Sequence, residues 1–382
     1  MNKKMRKLQI KFALATGFPN WDRITPGQFL LSEFAKISDS SNVLLLGCSH
    51  GALAVFLSRQ IHNGQILLSD TNTIALSTTK ETLKINNITN AEIISDITLS
   101  SKYSKKFDTI IADIELSKGR GFSRRWLIEA YEALKIKGQL YIAGAKSHGV
   151  KSAIKDAEEL FGNMEVLGYK KGSRVARALK KSGKRKHVYW DEKAGIALGT
   201  WNKIEAELHG KPFCFYSLPG VFSYEEIDEG TKRLLGNIGD FENARVLDWG
   251  CGYGAIGIFL AKFGAASVDM MDVDTFALAS ARKNVDANKT HNTKVFSANN
   301  SNLVKEKAYD LIISNPPFHI GKDVNYQTTI SFIQRAKQAL NPGGRLVVVT
   351  NRFIPYEKQM RKLFKRVRHI FEDSKYKVIE AS

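Results

Sequence analysis

Cysteine is nearly absent from this chain: Cys48, Cys214 and Cys251 are the only three in 382 residues. Three thiols so widely scattered build neither a disulfide framework nor a zinc site, so no metal is expected and a reducing, cytoplasmic setting is. Long apolar runs are missing too. No stretch approaches the roughly 20 residues needed to cross a bilayer as a helix. The opening residues, Met1-Asn2-Lys3-Lys4-Met5-Arg6-Lys7, are basic, but no apolar core follows them, so a signal peptide is not expected. Acids are short relative to bases, 38 against 57, which leaves a formal charge of +19. The shortage is uneven: residues 1–200 carry 32 basic and 18 acidic side chains, and residues 201–382 carry 25 and 20. An excess concentrated in one half suits a polyanionic partner such as nucleic acid or a membrane surface, against the bland alternative of plain solubility.

What is present is ordinary globular composition, with 43% hydrophobic residues, and enough length for two or three domains. Residues 1–40 read as a helical lead-in. Short apolar strands then alternate with helical patterns: Asn42–Gly51 as a strand and turn, then Gln65–Asp70, Phe107–Asp113 and Gly138–Ala143, with helices between. That alternation predicts an α/β fold with a mostly parallel sheet and right-handed crossovers. The second half repeats the plan, starting with the strand and turn Arg245–Gly254, then Val268–Asp272, Val295–Ala298, Tyr309–Ser314 and Arg345–Thr350, and ends in a closing antiparallel hairpin near Arg366–Phe371 and Tyr376–Glu380. At an offset of about 203, Val43, Gly47 and Gly51 fall on Val246, Gly250 and Gly254, and one residue of slippage later Asp70 falls on Asp272 and Asp108 on Asp310. The chain is therefore an internal duplication.

The copies do not share a chemistry. In the second, Gly250-Cys251-Gly252-Tyr253-Gly254 joins a strand to a helix, where glycines allow close backbone approach to a ligand. Asp248 precedes the glycines and Asp272 ends the next strand, where it suits ribose hydroxyls; a nicotinamide cofactor would use Asp272 equally well. Leu311-Ile312-Ile313-Ser314 then runs into Asn315-Pro316-Pro317-Phe318-His319. Adjacent prolines cannot continue a ladder, so a side-chain amide, fixed carbonyls and a ring are presented together at a strand end. That set fits a planar –NH₂ group: the Asn315 side-chain oxygen and the Pro316 carbonyl each accept one N–H, and Phe318 stacks on the ring. A dehydrogenase has no need of it. In the first copy Leu45 stands for Asp248, Ser49 for Gly252, and Asp113-Ile114-Glu115-Leu116 for the proline loop. That half reads as a domain that has lost its site.

Between the two sites lies a basic run, Gly168–Lys186, with Lys170, Lys171, Arg174, Arg177, Lys180, Lys181, Lys184, Arg185 and Lys186 and no acid among them. It reads as a phosphate track, against the alternative of a solvated hairpin face. Arg120, Arg124 and Arg125 are expected to extend it.

Leu218-Pro219-Gly220-Val221-Phe222-Ser223, Ile227-Asp228-Glu229-Gly230-Thr231, the glycine loop, the proline loop and Asn351-Arg352-Phe353-Ile354-Pro355-Tyr356 together resemble the bacterial ribosomal RNA guanine-N2 methyltransferases, either the C-type enzymes of the small ribosomal subunit or their large-subunit relatives. The resemblance implies two tandem class I methyltransferase-like (Rossmann-like) domains: a degenerate, RNA-binding one over 1–195, a linker over 196–212, and a catalytic one over 213–382. It implies S-adenosylmethionine as cofactor, lined by Asp248, Gly250, Gly252, Gly254, Asp272, Asn315 and Asn299, with Asn300 as the alternative to Asn299. It places the guanine against Asn315, Pro316 and Phe318, and leaves His319 and Asp323 without a chosen role. The expected reaction is methyl transfer to the exocyclic N2 amine of a guanine in ribosomal RNA, by a cytoplasmic monomer whose partner is that RNA or a ribosomal subunit, with no membrane and no metal. Adenine N6, a protein glutamine amide, or a non-enzymatic RNA-binding assembly role are the competing readings.

Overall fold

The computed structural model describes residues 1–95, 98–298, 304, 306–316 and 326–382. They form two compact units, Met1–Trp201 with Leu218–Gly220, and Asn202–Ser217 with Val221–Ser382. In the first unit a small hairpin, β1 (Asn2–Met5) and β2 (Leu8–Lys11), precedes a sheet made of β3 (Asn42–Leu46), β4 (Gln65–Ser69), β5 (Ala91–Ile94), β6 (Phe107–Ala112), β7 (Leu134–Ala145), β8 (Glu165–Lys170) and β9 (Ser173–Leu179). Its strand order is β5-β4-β3-β6-β7-β9-β8. In the second unit β10 (Asn202–Leu208) and β11 (Lys211–Ser217) form a hairpin, and the sheet contains β12 (Arg245–Trp249), β13 (Ser267–Asp272), β14 (Thr293–Ser297), β15 (Tyr309–Ser314), β16 (Leu340–Asn351), β17 (Val367–Glu372) and β18 (Tyr376–Ala381). The order there is β14-β13-β12-β15-β16-β18-β17, the same topology shifted along the chain.

In both sheets the pairs up to β7 and β16 are parallel, and the closing hairpin is antiparallel. Parallel strands are covered by helices on both faces, which is why they read as unbroken apolar runs rather than alternations. Val43, Leu44, Leu45 and Leu46 are all buried, as are Leu311, Ile312 and Ile313. Each unit packs its own core. The copies even share a fastening: the Asp108 carboxylate accepts the backbone N–H of Asn42 at 2.9 Å, and Asp310 accepts that of Arg245 at the same distance.

Two expectations are corrected here. The stretch 196–212 is no free linker. Its start packs inside the first unit, where Ile196 is buried and the Gly195 carbonyl accepts from Arg125 at 2.7 Å. Its end is a hairpin of the second unit that turns on His209 and Gly210, both at positive φ. The signal lay in the period-2 pattern: Ile204, Leu208, Phe213 and Phe215 are buried around a two-residue turn. Asn284 and Asn288, on the helix Thr275–Asn288, then bind the backbone of Tyr216 and Cys214. Residues 1–40 are not a helical lead-in either. Only Pro26–Phe34 is helical, behind a capping box in which Thr25 and Gln28 exchange hydrogen bonds. Ahead of it, the buried Met5 and Ile10 hold the small hairpin to the core.

Candidate functional site

In the second sheet, β12 lies between β13 and β15. The chain leaves β12 for one side of the sheet and returns on the other, so a crevice opens at the carboxyl ends of β12 and β15, where ligands bind in such sheets. Register pairs Asp248 with Ile313. Two residues further on, Gly250 and Asn315 face each other across that crevice. The Ser314 hydroxyl ties the two strand ends together by donating to the Trp249 carbonyl at 2.6 Å.

Gly250, Gly252 and Gly254 all have positive φ, and the Gly250 and Cys251 N–H groups both donate to the Met271 carbonyl, which folds the loop back over β13. A Cβ on Gly250 would meet no atom within 4 Å among the described residues, and one on Gly252 only Val221 at 4.0 Å. Among the described residues, these two positions border open space. Gly257, in the helix Ala255–Lys262, is different: a Cβ there would sit 2.5 Å from Met270, so its glycine serves helix–strand packing.

Asp248 is fully buried. Its Oδ2 accepts the Gly257 N–H at 2.9 Å, while Oδ1 has no hydrogen-bond partner among the described residues. Burial, with the Asp272 charge adding to it, pushes the Asp248 carboxyl up to about 7. Asp272 accepts the N–H groups of Gly252 and Asp274, both at 2.9 Å. Burial, then the charge of Asp274, raises its pKa as well. Two carboxyls held against their preference, one with an orphaned oxygen, suit a cationic or hydroxyl-bearing ligand that would satisfy them. Each Asp272 oxygen still has a lone pair to offer.

Asn315 donates both amide protons, to Asp228 Oδ2 at 2.9 Å and to Thr231 Oγ1 at 3.0 Å. Asp228 is the N-cap of the helix Glu229–Asn237 and accepts the Thr231 N–H at 3.0 Å. Neither Asp228 nor Thr231 stood out as a site residue in the sequence. A capping signature followed by an apolar helix was the available signal, but it says nothing about a partner 87 residues away. Pro316 follows Asn315 and is half-buried. Asn299 and Phe318, with Asn300, Pro317, His319 and Asp323, lie outside the described residues.

The corresponding edge of the first unit is built differently. A Cβ on Gly47 would lie 2.2 Å from the Asp113 carbonyl, so the segment after β6 closes over the glycine. Leu45, in the place of Asp248, is a buried apolar side chain. Asp70 keeps the geometry of Asp272, accepting from Ser49 at 3.0 Å and Asn72 at 2.9 Å. That carboxylate is therefore a loop fastener in both copies.

The basic run does not form one continuous track. It is the closing hairpin of the first sheet, so alternate side chains turn inward. Lys180 is fully buried and caps a helix end, donating to the carbonyls of Tyr131 at 2.5 Å and Leu134 at 2.8 Å, 4.6 Å above the Tyr131 ring. Burial lowers its pKa. Arg177 pairs with Glu165 at 2.6 Å, and Arg185 with Glu132 and Asp191 at 3.1 and 3.4 Å. The expected extension fails too: Arg120 and Arg124 clamp the buried Asp156, and the buried Arg125 binds the Gly195 carbonyl. What remains exposed or half-exposed falls into two groups. Lys170, Lys171 and Arg174 surround the hairpin tip, where with Lys146 and Tyr169 they line a cavity of about 210 Å³. The Arg174 guanidinium lies 5.0 Å over the exposed Tyr169 ring. Lys181, Lys184 and Lys186 follow the other end of β9, roughly 20 Å away at about 3.4 Å per residue.

Comparison with known proteins adds to this geometry. The family model for the methyltransferase small domain matches twice, over residues 9–177 and 212–380. A ribosomal RNA small subunit methyltransferase C from Psychromonas ingrahamii is 43% identical over 164 residues, covering 43% of this chain and 46% of that protein. A protein of the same name from Actinobacillus pleuropneumoniae is 33% identical over 258 residues, 67% of this chain and 74% of its own. The chain thus spans about half the length of the Psychromonas relative, and more of the Actinobacillus one. In fold it is similar to the solved T. thermophilus 16S rRNA N2 G1207 methyltransferase in complex with AdoMet and guanosine, with a TM-score of 0.81 over 100% of this chain and 97% of that chain, at 22% identity. With two matched methyltransferase small domains and a relative of that coverage, the chain belongs to the ribosomal RNA small subunit methyltransferase C family.

Proposed function

We propose that the second unit transfers a methyl group from S-adenosylmethionine to the exocyclic N2 amine of a guanine in 16S ribosomal RNA, and that the first unit binds the RNA. The observation that carries this reading is the Asn315 amide: both its protons are held by Asp228 and Thr231, which leaves the carbonyl oxygen Oδ1 as the atom available to a ligand at the crevice. The residues present fit the cofactor. The orphaned Asp248 Oδ1 suits an ammonium group, Asp272 suits ribose hydroxyls, and the open space beside Gly250 and Gly252 admits a ligand against the backbone. Gly254 starts the helix beyond them. The relative of known structure was solved with AdoMet and guanosine, the cofactor and base that this reading calls for.

When bound, S-adenosylmethionine supplies an electrophilic methyl on a sulfonium, so the activation needs no metal. The protein's part is orientation. Asn315 Oδ1 and the Pro316 carbonyl accept the two N–H bonds of the guanine amine and turn its lone pair out of ring conjugation toward the methyl. Phe318 stacks on the base. A paired guanine must first leave its stem. In the first unit, Lys170, Lys171 and Arg174 with the Tyr169 face take one stretch of backbone and an unpaired base, and Lys181, Lys184 and Lys186 take phosphates further along.

The test is product identity. The full chain is incubated with labelled S-adenosylmethionine and either 16S rRNA or small subunits, and digested nucleosides are separated by mass spectrometry. N2-methylguanosine is expected. Label in N6-methyladenosine or in protein would replace this reading with one of the other amino acceptors, and no label at all would favour an assembly role.

A further inference from the structure

The internal duplication holds a contact that its two copies make with opposite polarity. In the first unit the strand-end residue after β6 is Asp113, and its Oδ2 accepts from the Gln28 side-chain amide at 2.9 Å. Gln28 is the third residue of the helix Pro26–Phe34, behind the N-cap Thr25. In the second unit the strand-end residue after β15 is Asn315, and it donates to the N-cap Asp228 and to Thr231, the third residue of the matching helix. Thr25 and Asp228, like Gln28 and Thr231, are 203 positions apart in the chain, the offset of the duplication. The same strand end meets the same helix start twice, but donor and acceptor have changed places.

The exchange decides which atoms remain for a ligand. A carboxylate only accepts, so the Asp228 oxygen compels Asn315 to face it with Nδ2. Flipping the amide would set two oxygens against each other and take both amide protons from their acceptors. We propose that Asp228, assisted by Thr231, is the positioning residue for methyl transfer: it locks the Asn315 amide so that Oδ1, and never Nδ2, meets the acceptor amine, and its charge makes that oxygen a stronger acceptor. Asp113 in the first unit is already committed to Gln28. The proposal rests on the function read above for Asn315, and goes beyond it by naming what sets the amide's direction.

It is tested by moving the first unit's polarity into the second. Asn315→Asp places a carboxylate against the Asp228 carboxylate. Single-turnover methylation at saturating enzyme and cofactor should slow at least ~100-fold, the scale of losing one preorganised polar group. Asp228→Asn keeps the helix cap, because Asn caps as well as Asp, and should slow the reaction only ~3–10-fold. The double variant Asp228→Asn/Asn315→Asp restores a donor–acceptor pair: the new amide at position 228 turns an N–H to the new carboxylate at position 315 and gives up the Thr231 cap, because one oxygen, Asp228 Oδ2, takes both N–H groups in the wild type; the lost cap falls on stability and not on the rate. Its rate should return to within ~10-fold of wild type, a coupling that two independent losses cannot produce. Calorimetry fixes the cofactor concentration that saturates each variant, so the rates compare methyl transfer and not cofactor binding. A double variant as slow as Asn315→Asp, or an Asn315→Asp variant near wild-type rate, overturns the proposal. Rescue in melting temperature without rescue in rate overturns it too, because it leaves the contact purely structural. The wild-type arm stands apart: if wild type yields no N2-methylguanosine, the parent reading has failed, whatever the variants do.

Discussion

The two sheets have one topology and two fates, and the difference is a matter of space and polarity at a single edge. In the first, the backbone after β6 closes on Gly47, a leucine stands where a carboxylate would meet a cation, and Asp113 is occupied by Gln28. In the second, among the described residues, Gly250 borders open space, Asp248 keeps an unsatisfied oxygen, and Asn315 gives both amide protons to Asp228 and Thr231. Features that serve the fold survive in both: the Asp108 and Asp310 fasteners, and the Asp70 and Asp272 loop ties. A residue shared by duplicated copies therefore says less about chemistry than the room left beside it.

The comparison breaks most sharply at Asn315. Asn315→Ala should cut single-turnover methylation at least ~100-fold and leave cofactor binding nearly unchanged. A near-normal rate would reduce the proline loop to a turn.

Next in size is cofactor binding itself. Calorimetry should find one S-adenosylmethionine per chain, and Asp272→Ala should weaken it by about 1–3 kcal/mol through lost charge-assisted bonds. Two equivalent sites would mean that the first unit has not lost its pocket.

The pH dependence follows from the raised carboxyls. Without ligand, Asp248 holds its proton below about 7. An ammonium group on the ligand needs it ionised, so affinity should fall by up to ~10-fold per pH unit below that value and level off above it. Asp248→Asn should flatten the profile. Asp113 is also pushed up to about 7, by burial first and by the Asp70 charge. A carboxyl raised on folding costs nothing below its unfolded pKa, costs progressively more as pH climbs toward the folded value, and costs its full amount above it. Asp113→Asn should therefore raise the melting temperature at about pH 8 and leave it unmoved near pH 3. A gain at both would assign the effect to packing.

The smallest effects separate the two kinds of lysine in the basic hairpin. Neutralising Lys170, Lys171, Lys181 and Lys184 should lower the slope of log K against log salt for RNA by somewhat under one unit per lost phosphate contact. Lys180→Ala should leave that slope alone and lower the melting temperature instead, because it uncaps two carbonyls. A salt slope that follows Lys180 would place its ammonium on the RNA and contradict the buried geometry.

Local pattern carried much of this. Apolar runs alternating with helices announced the parallel sheets, because strands covered on both faces need no polar alternation. The glycine spacing and the paired prolines announced the crevice, because both restrict the backbone whatever surrounds them. The duplication was legible from the same residues. The period-2 pairs around His209-Gly210 and the short strands at the N-terminus carry an equally local signal, alternating residues around a two-residue turn.

The alternation of apolar strands with helices, the glycine turn and the identity of the strand-end residue were thus determined by the sequence alone, since each depends on neighbours within a few positions. Two things were decided only by tertiary structure. One is charge: Lys180, Arg185, Arg120 and Arg124 count as free cations in a string of letters, yet meet carbonyls and carboxylates 6 to 53 residues away, and a partnered cation has nothing left for a phosphate. The other is direction. An asparagine has two chemically opposite ends of nearly equal shape, and which end is spoken for is decided by Asp228 and Thr231, 87 and 84 positions upstream, which the fold brings to the strand end to take both amide protons.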